Sequence, residues 1–440
     1  MERLHREAGW TQRQFTQFVN RIGSEHGMSL NYKEPSVTQW LQGQMPRRAV
    51  RPVILEALSR RLHRPISYIE AGFPAPADSA TDAGIIQELI ELGRLDMDPV
   101  RRNLLSAGLF SVAVKIPDWR DAVDRIASAQ SGGVRRIGEG EVSMVISMTQ
   151  NFSDLDYQFG GRNTRPVAAA FLVNTVAPYL AAEGSDSVRN RMLSAASDLC
   201  YLTGYMAVDE GQQGLGQKYY LKAMELARSA DDRNAYSLAL HGMSSQALQL
   251  GHHRTALRLT SAAMADASQI EPNMRAFLAG QRAYTSALTE GSGSALPFLR
   301  KAEMEIGKTG AASKVVMGHY RDAVLEFDIA QVKYGLNDTV GSVQSLKRYA
   351  ALQNRGHRRR AVLDGATLAE RQLEIGHLEA ACATWGQMLI DYPYVQSGRA
   401  DQRVLYMANS LKPFLKNSVA RDMYERAREA VRRGIAPGSK

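Results

Sequence analysis

Apolar residues recur at three- and four-residue spacing along most of the chain, and this period predicts helices and an all-α fold. In the first seventy residues, Thr11 is placed to cap one helix with its hydroxyl, and Ser36 is placed to cap the next. Gly43 is expected to end that second helix in a left-handed conformation, which glycine adopts without steric cost. The apolar positions of these helices and of the one after Pro46 are Phe15, Phe18, Val19, Ile22, Val37, Trp40, Leu41, Val50, Val53, Ile54, Leu55, Leu58 and Leu62.

Composition divides the 440 residues into four segments. Residues 74–83 consist of Pro, Ala and small polar residues without an apolar period, which predicts an extended, mobile linker. We expect a helical head over 1–73 before this linker. A helical connecting region over 84–170 and a long helical body over 171–440 are expected after it.

One long helix of the connecting region carries its own apolar stripe. Val145, Met148, Phe152 and Leu155 recur at helical spacing and predict a buried face. Met144 and Met148 are interpreted as core residues, because the flexible thioether side chain fills irregular gaps.

The body contains an internal repeat with a period near forty residues. Small residues at fixed positions would let the two helices of a hairpin approach closely, and stacked hairpins form a superhelix with a concave groove. A segment around Gly335, which is expected between two helices, matches the repeat poorly, and a non-repetitive helical bundle is the alternative. The four matching sets are Gly204, Gly216, Tyr220 and Ala223; Ser244, Gly251, Ala256, Thr260 and Ala263; Ala283, Ala295, Leu299 and Ala302; and Ala369, Gly376, Ala381, Trp385 and Met388.

Positive charge is concentrated in the head. The whole chain has a formal net charge of +9, and residues 1–64 carry eleven Lys and Arg against five Glu, a local excess of +6. A localised basic block is typical of nucleic-acid-binding proteins. The alternative interpretation is a small helical domain with a solvated basic face.

No set of residues assembles a catalytic, cofactor or metal site in the sequence, so we expect a protein that is not an enzyme. Gly307-Lys308-Thr309 resembles the end of a phosphate-binding loop, but the required earlier glycine is absent. His252-His253 is interpreted as an exposed turn and the run Arg358-Arg359-Arg360 as solvated. Two cysteines, Cys200 and Cys382, are too few for a disulfide framework. The chain also starts without a signal-peptide pattern, and both observations favour a cytoplasmic location.

The order of motifs in the head resembles the Xre or lambda-repressor class of helix-turn-helix domains. That resemblance implies that the helix from Ser36 to Gln42 is the recognition helix and that Gln12 bonds a DNA phosphate. The segment before this helix is about ten residues longer than the class usually has. The residues that carry the resemblance are Thr11-Gln12, Val37-Thr38-x-Trp40-Leu41-x-Gly43, Pro46 and Leu55-x-x-Leu58-x-x-x-Leu62.

A head of this class joined to tetratricopeptide-like (TPR-like) repeats resembles the actinobacterial NsdA-like regulators of differentiation and antibiotic production, over nearly the whole chain. It resembles the peptide-sensing Gram-positive regulators more distantly. The resemblance implies a homodimeric transcriptional regulator, which we expect to be a repressor, with a small-molecule or peptide signal in the TPR groove. The alternative is a TPR protein–protein adaptor with a vestigial head.

These expectations assign roles in binding double-stranded DNA to eight residues. Thr38 and Gln39 are expected to read base edges, and Ser36 to reach a base or a phosphate. The remaining five should contact phosphates, which position a protein on DNA without reading its sequence. They are Gln12, Arg13, Lys33, Arg47 and Arg48.

Overall fold

The regular structure of the protein is helical. The computed structural model describes residues 1–25, 28, 30–62, 64, 66–74, 82–98, 111, 136–265, 267–308, 322–352 and 356–435. Within these ranges there is no strand, and a single isolated bridge joins Arg136 to Glu183. The predicted all-α class is therefore confirmed for the described residues. No helix among them is long and apolar enough to cross a lipid bilayer.

The head is built from four helices around a core of its own. A short 3-10 turn, Arg48–Val50, leads into the fourth helix. The core residues all come from the segment between Leu4 and Phe73, with Phe15, Ile54 and Leu58 fully buried. The helices are α1 Glu2–Glu7, α2 Gln12–Glu25, α3 Glu34–Leu41 and α4 Arg51–Leu62.

Two of the three expected helix-end residues in the head are placed as predicted. Thr11 caps α2, because its hydroxyl accepts from the Gln14 amide at 3.2 Å while the Gln14 side chain accepts from the Thr11 amide at 3.0 Å. Gly43 lies just after α3 with φ of 102°. The prediction for Ser36 is wrong: α3 begins at Glu34, and Ser36 lies inside it. Proline is favoured in the first turn of a helix, and Pro35 starts α3 earlier than expected.

The connecting region contributes α5 Asp82–Met97, α6 Glu139–Phe159, α7 Gly161–Phe171 and α8 Ala177–Leu180, with a π-helical turn between the last two. On α6, Val145 and Phe152 are buried as predicted and Met148 is half-buried. The core assignments of Met144 and Leu155 are wrong, since these side chains are 38% and 44% exposed. The buried face of α6 continues instead through polar side chains, including Asp156.

The body consists of twelve helices in the described ranges, packed as consecutive antiparallel pairs. The largest apolar cluster joins the connecting helices to the first pairs, and another unites the last two pairs. Between them, the described residues of α13 to α17 form three further clusters, two of which consist mainly of alanine. The pairs are α9 Asp186–Asp209 with α10 Gln213–Ser229, α11 Arg233–Gln249 with α12 His253–Ala263, α13 Pro272–Thr289 with α14 Ser292–Ile306, α15 Asp322–Gly335 with α16 Thr339–Leu352, α17 Arg358–Glu374 with α18 Leu378–Asp391, and α19 Gly398–Leu411 with α20 Ser418–Ile435.

Local geometry repeats every forty residues in the first three pairs. Gly211, Gly251 and Gly291 each follow the first helix of a pair with φ of 79°, 76° and 87°. A buried hydrogen bond also repeats at that interval: the hydroxyls of Ser197 and Ser237 donate to the Ala223 and Ala263 carbonyls at 2.8 and 3.1 Å. The same turn and the same bond thus recur in successive pairs.

Close approach within the first pair depends on glycine. A Cβ on Gly204 would lie 3.0 Å from the Gly216 carbonyl oxygen, so α9 and α10 meet backbone to backbone there. Gly335 was expected between two helices, but it is the last residue of α15 and packs against Ala287 of α13. Asn337, with φ of 65°, makes the left-handed turn in its place.

The end of the chain packs back onto the connecting helices through a buried ionic cluster, which corrects the interpretation of the arginine run as solvated. Arg359 is 1% exposed, and its guanidinium donates to Asp156 at 2.7 Å and to Asp209 at 3.2 Å. Arg399 donates to Asp209 at 2.8 Å, and both arginines donate to the Tyr205 hydroxyl at 3.3 Å. We call the contact formed by these five residues the closing seam.

In the closing seam, burial and the neighbouring arginines shift the pKa values of the two carboxyl groups in opposite directions. Burial raises the pKa of Asp156 to about 6, against the opposing effect of Arg359. Burial likewise disfavours the charged form of Asp209, but Arg399 and Arg359 hold its pKa below the usual value. The seam therefore joins α17 and α19 to α6 and α9 through buried carboxylates whose charged forms are stabilised by the two arginines.

Candidate nucleic-acid interface

Helix α3 is anchored by its apolar side and leaves a polar side outward. Val37 is fully buried and Trp40 is 7% exposed, so these two side chains fix the helix on the head core. Thr38 and Ser36 are half-buried, whereas Gln39 is exposed. Of the three residues predicted to meet bases, Gln39 is thus the most accessible.

The start of α2 touches the middle of α3. The Thr38 hydroxyl donates to the Gln12 side-chain oxygen at 2.8 Å, which brings together two residues that the sequence assigned to different roles. Because the Gln12 oxygen faces Thr38, its amide NH₂ group remains as a donor for another acceptor. Thr38 in turn uses its proton and presents its remaining lone pairs as an acceptor.

The long segment before α3 is tied to α2 by a side chain that sequence reasoning did not single out. The Asn20 amide donates to the Tyr32 carbonyl and accepts from the Tyr32 N–H, both at 2.8 Å. The Tyr32 ring then meets the edge of Trp40 at a centroid distance of 4.9 Å. A lone Asn on a helix carries no sequence signal for this contact. Its effect is to fix the entry to α3 despite the extra residues.

All four predicted phosphate-binding cations are exposed and make no ion pair within the described residues. Arg13 lies in the first turn of α2, and Lys33 immediately precedes α3. Arg47 and Arg48 follow α3 and open the 3-10 turn. A cation without an acidic neighbour can bind a phosphate without first losing an ion pair.

Other arginines of the head are engaged by its acidic residues. Arg64 bonds Glu7 at 2.9 Å and Glu70 at 2.7 Å, and Arg60 bonds Glu56 at 2.7 Å. Arg6 pairs with Glu2 at 2.6 Å, and Arg3 lies 3.6 Å from Glu70. Arg51 and Arg61 bond the Pro46 and Ala8 carbonyls instead. The four cations without such partners among the described residues lie beside α2 and α3.

One acidic residue lies within this region. Glu34 is exposed in the first turn of α3, next to Lys33. A carboxylate there repels phosphate, so the start of α3 is less favourable for a DNA backbone than the start of α2. The geometry favours phosphate contacts at Gln12, Arg13, Arg47 and Arg48.

The head is also held on the body through α4. Seven consecutive residues of α4, Val53 to Ser59, are buried, which means that this helix is covered on all sides. The Ser111 hydroxyl donates to Glu56 at 2.5 Å, and the Ser111 backbone N–H and C=O both bond the Gln217 side chain of α10 at 2.8 Å. Burial and the charge of Arg60 lower the pKa of His252, in the turn before α12. This contact leaves Gln39, Arg47 and Arg48 exposed.

The other residues that the sequence singled out for possible chemistry do not form a site within the described residues. His252 and His253 are half-buried, and Lys308 bonds Glu305 at 3.0 Å, while Thr309 lies outside the described residues. No cluster of three or more metal-ligating side chains occurs in the part of the chain that the structure describes.

The comparisons with known proteins concern the head alone. Residues 1–74 match the family model of the SP15 N-terminal domain. No curated protein matches the chain. The matched range contains α1 to α4 and every residue of the candidate interface, and it leaves the connecting region and the body unmatched.

Proposed function

We propose that the protein is a cytoplasmic, sequence-specific DNA-binding transcriptional regulator, acting as a repressor and without catalytic activity. The observation that carries the proposal is the distribution of charge in the head. Arg13, Lys33, Arg47 and Arg48 lie exposed and unpaired around α2 and α3 among the described residues. Elsewhere in the head, Arg60 and Arg64 bond acidic side chains. Arg51 and Arg61 bond backbone carbonyls at 3.0 and 2.8 Å.

In this proposal α3 is the recognition helix of a helix-turn-helix domain. An α-helix with its side chains is about 10–12 Å across, which fits a major groove of about 12 Å in width. Thr38 and Gln39 bond base edges, and Ser36 bonds a base or a phosphate. The N–H donors of Gln12 and the nearby cations bind the DNA backbone on both sides of the helix.

The body is proposed to be a TPR-like superhelix that forms a homodimer and binds a small-molecule or peptide signal in its groove. The paired helices and the turns at forty-residue intervals support this assignment. A single head covers few base pairs, so two heads on a two-fold site supply the specificity.

The test is DNA binding by the full chain, with selection of bound genomic fragments at physiological salt followed by titration at several salt concentrations. Replacing Arg47 and Arg48 by Ala is expected to weaken binding to all sequences about equally and to reduce the salt slope by about 2. Replacing Gln39 by Ala is expected to change which sequences are selected.

A matched control removes the same charge elsewhere. Arg3 and Arg6 are 77% and 75% exposed but lie beside Glu70 and Glu2. Their replacement by Ala is expected to change the salt slope much less than the loss of Arg47 and Arg48. Equal effects of the two double variants, or no salt-dependent binding to any duplex, would refute the proposal.

A second candidate, a TPR adaptor that binds another protein, is favoured by apolar side chains at the end of the body. Ile390, Tyr394 and Tyr406, which lie close together in the sequence, are 58%, 57% and 53% exposed. Exposed apolar surface can mark a protein-binding site. Failure of DNA selection together with recovery of one protein partner by the full chain would favour the adaptor.

A further inference from the structure

A cavity of about 280 Å³ lies beside the closing seam, where the turn after α18 meets α7 and α20. Its volume is just below the range of about 300–1,000 Å³ typical of pockets for drug-sized ligands. The cavity therefore suits a ligand of amino-acid size. It is separate from the candidate DNA interface, since every residue that lines it belongs to α7, α18, α19, α20 or the turn between α18 and α19.

One side of the cavity is apolar. Leu389, Val395 and Ala430 line it together with Tyr392, whose hydroxyl donates to Asp401 at 2.8 Å. Tyr392 and Val395 are each 4% exposed, so this wall is fixed by the core of the last two helix pairs. A wall of this kind binds an aliphatic or aromatic side chain.

The other side carries two cations and two carboxylates. Arg162 of α7 bonds Glu210 at 2.9 Å and Asp401 at 2.7 Å, which fixes it in place. Asp401 accepts one bond on each oxygen, from Arg162 and Tyr392, and each carboxylate oxygen has a second lone pair. Arg426 and Glu429 of α20 complete the lining.

Arg426 is the cation that remains available to a ligand. It is exposed and makes no ion pair within the described residues, whereas Arg428 on the same helix lies 3.4 Å from Glu425. A guanidinium binds a carboxylate in a bidentate, charge-assisted arrangement. The opposite charge of a ligand ammonium group is matched by Asp401.

We infer that this cavity binds a free α-amino acid with an apolar side chain. Its carboxylate bonds Arg426, its ammonium group faces the Asp401 carboxylate, and its side chain lies on the Leu389, Tyr392 and Val395 wall. A lining that holds both an unpaired cation and a carboxylate with free lone pairs favours a zwitterion over a simple anion or cation. The inference goes beyond the proposed function, because it requires no DNA.

The test is calorimetric titration of the full chain, without DNA, with L-leucine and L-phenylalanine. Saturable binding of at least one is expected, with weaker binding of leucinamide, which lacks the carboxylate, and of 4-methylpentanoate, which lacks the ammonium group. L-serine, which lacks the apolar side chain, should not bind. Arg426→Gln is expected to weaken binding about tenfold or more, as loss of a charge-assisted bond predicts.

Arg428→Gln is the matched control on the same helix, and it should bind the amino acid as the natural chain does. Absence of saturable binding up to about 10 mM, a range that corresponds to less than about 3 kcal/mol, would overturn the inference. So would equal binding of 4-methylpentanoate or an unchanged affinity of the Arg426→Gln variant. Since the titration contains no DNA, its failure leaves the DNA-binding proposal untouched.

Discussion

Replacing Arg359 by Met is expected to destabilise the protein by about 3 kcal/mol at pH 7. The substitution removes the charge but keeps an unbranched apolar side chain in the closing seam. Breaking a buried ion pair by removing one partner costs about 3–5 kcal/mol. Arg359 is 1% exposed, and its partners Asp156 and Asp209 are fully buried, so solvent cannot replace the lost bonds.

The separate energy terms of the Arg359→Met substitution add up to a loss of similar size. In the natural chain the pKa of Asp156 is already about 6. If the loss of Arg359 raises this pKa above 7, the free energy of unfolding at pH 7 falls by at most about 1.4 kcal/mol. The Asp156 carbonyl loses a bond of 3.0 Å from the charged guanidinium, worth about 1.5–3 kcal/mol, and keeps the bond of 2.9 Å from the Gly160 N–H. Asp209 keeps its bond to Arg399, which limits the further loss.

The sign of the pH dependence follows from Asp156. Its folded pKa lies above its unfolded value of 3.8, so its contribution to stability is full at low pH and is lost as the pH rises through the folded pKa. At pH 5 Asp156 is protonated in both proteins. The difference in stability between the variant and the natural chain should therefore shrink by about 1 kcal/mol between pH 7 and pH 5.

Urea unfolding of the full chain at both pH values, followed by far-ultraviolet circular dichroism, measures the effect. Arg358→Met is the control, because Arg358 is 43% exposed, lies 3.7 Å from Asp391, and should contribute less than about 1 kcal/mol. Equal losses in the two variants, or a loss for Arg359→Met that does not change with pH, would refute the reasoning.

Three further predictions concern other parts of the fold. Burial lowers the pKa of His241 to about 3, so its contribution to stability is present above the unfolded pKa of 6.5 and is lost as the pH falls. The natural chain should therefore lose up to about 2 kcal/mol of unfolding free energy between pH 7 and pH 5 through this residue. In urea unfolding, the His241→Phe variant should not show that loss. Asn20→Ala should leave both Tyr32 backbone groups without their partner, cost about 1–3 kcal/mol and speed hydrogen exchange at the Tyr32 amide, and unchanged exchange would contradict the clamp. Gly204→Ala should cost about 1–3 kcal/mol in thermal unfolding, because its Cβ would press on the Gly216 carbonyl, and an unchanged midpoint would show that α9 and α10 have room to separate.

The sequence predicted those helix ends that depend on residues close together in the chain. The capping role of Thr11 and the left-handed Gly43 follow from local chemistry, and both were found. Ser36 was misplaced because two local signals competed and Pro35 started the helix first. Met144 and Leu155 were assigned to a core because a helical period fixes spacing but not which of two adjacent stripes is covered.

Features that depend on distant residues were outside the reach of sequence reasoning. A run of three arginines is usually solvated, and the partners that bury Arg359 lie 203 and 150 residues away. The candidate interface shows the same limit. The sequence places the cations near α3, but which of them are unpaired depends on contacts such as that between Arg64 and Glu7, 57 residues apart.

The closing seam changes where this stack of helix pairs should open. In a linear array each unit contacts only its neighbours, so the terminal units have half the support and unravel first. Here the last pairs are bonded to α6, which precedes the first pair, and to α9 within it, so neither end of the stack is free. We therefore expect the last two pairs to unfold together with the connecting helices rather than to fray ahead of them.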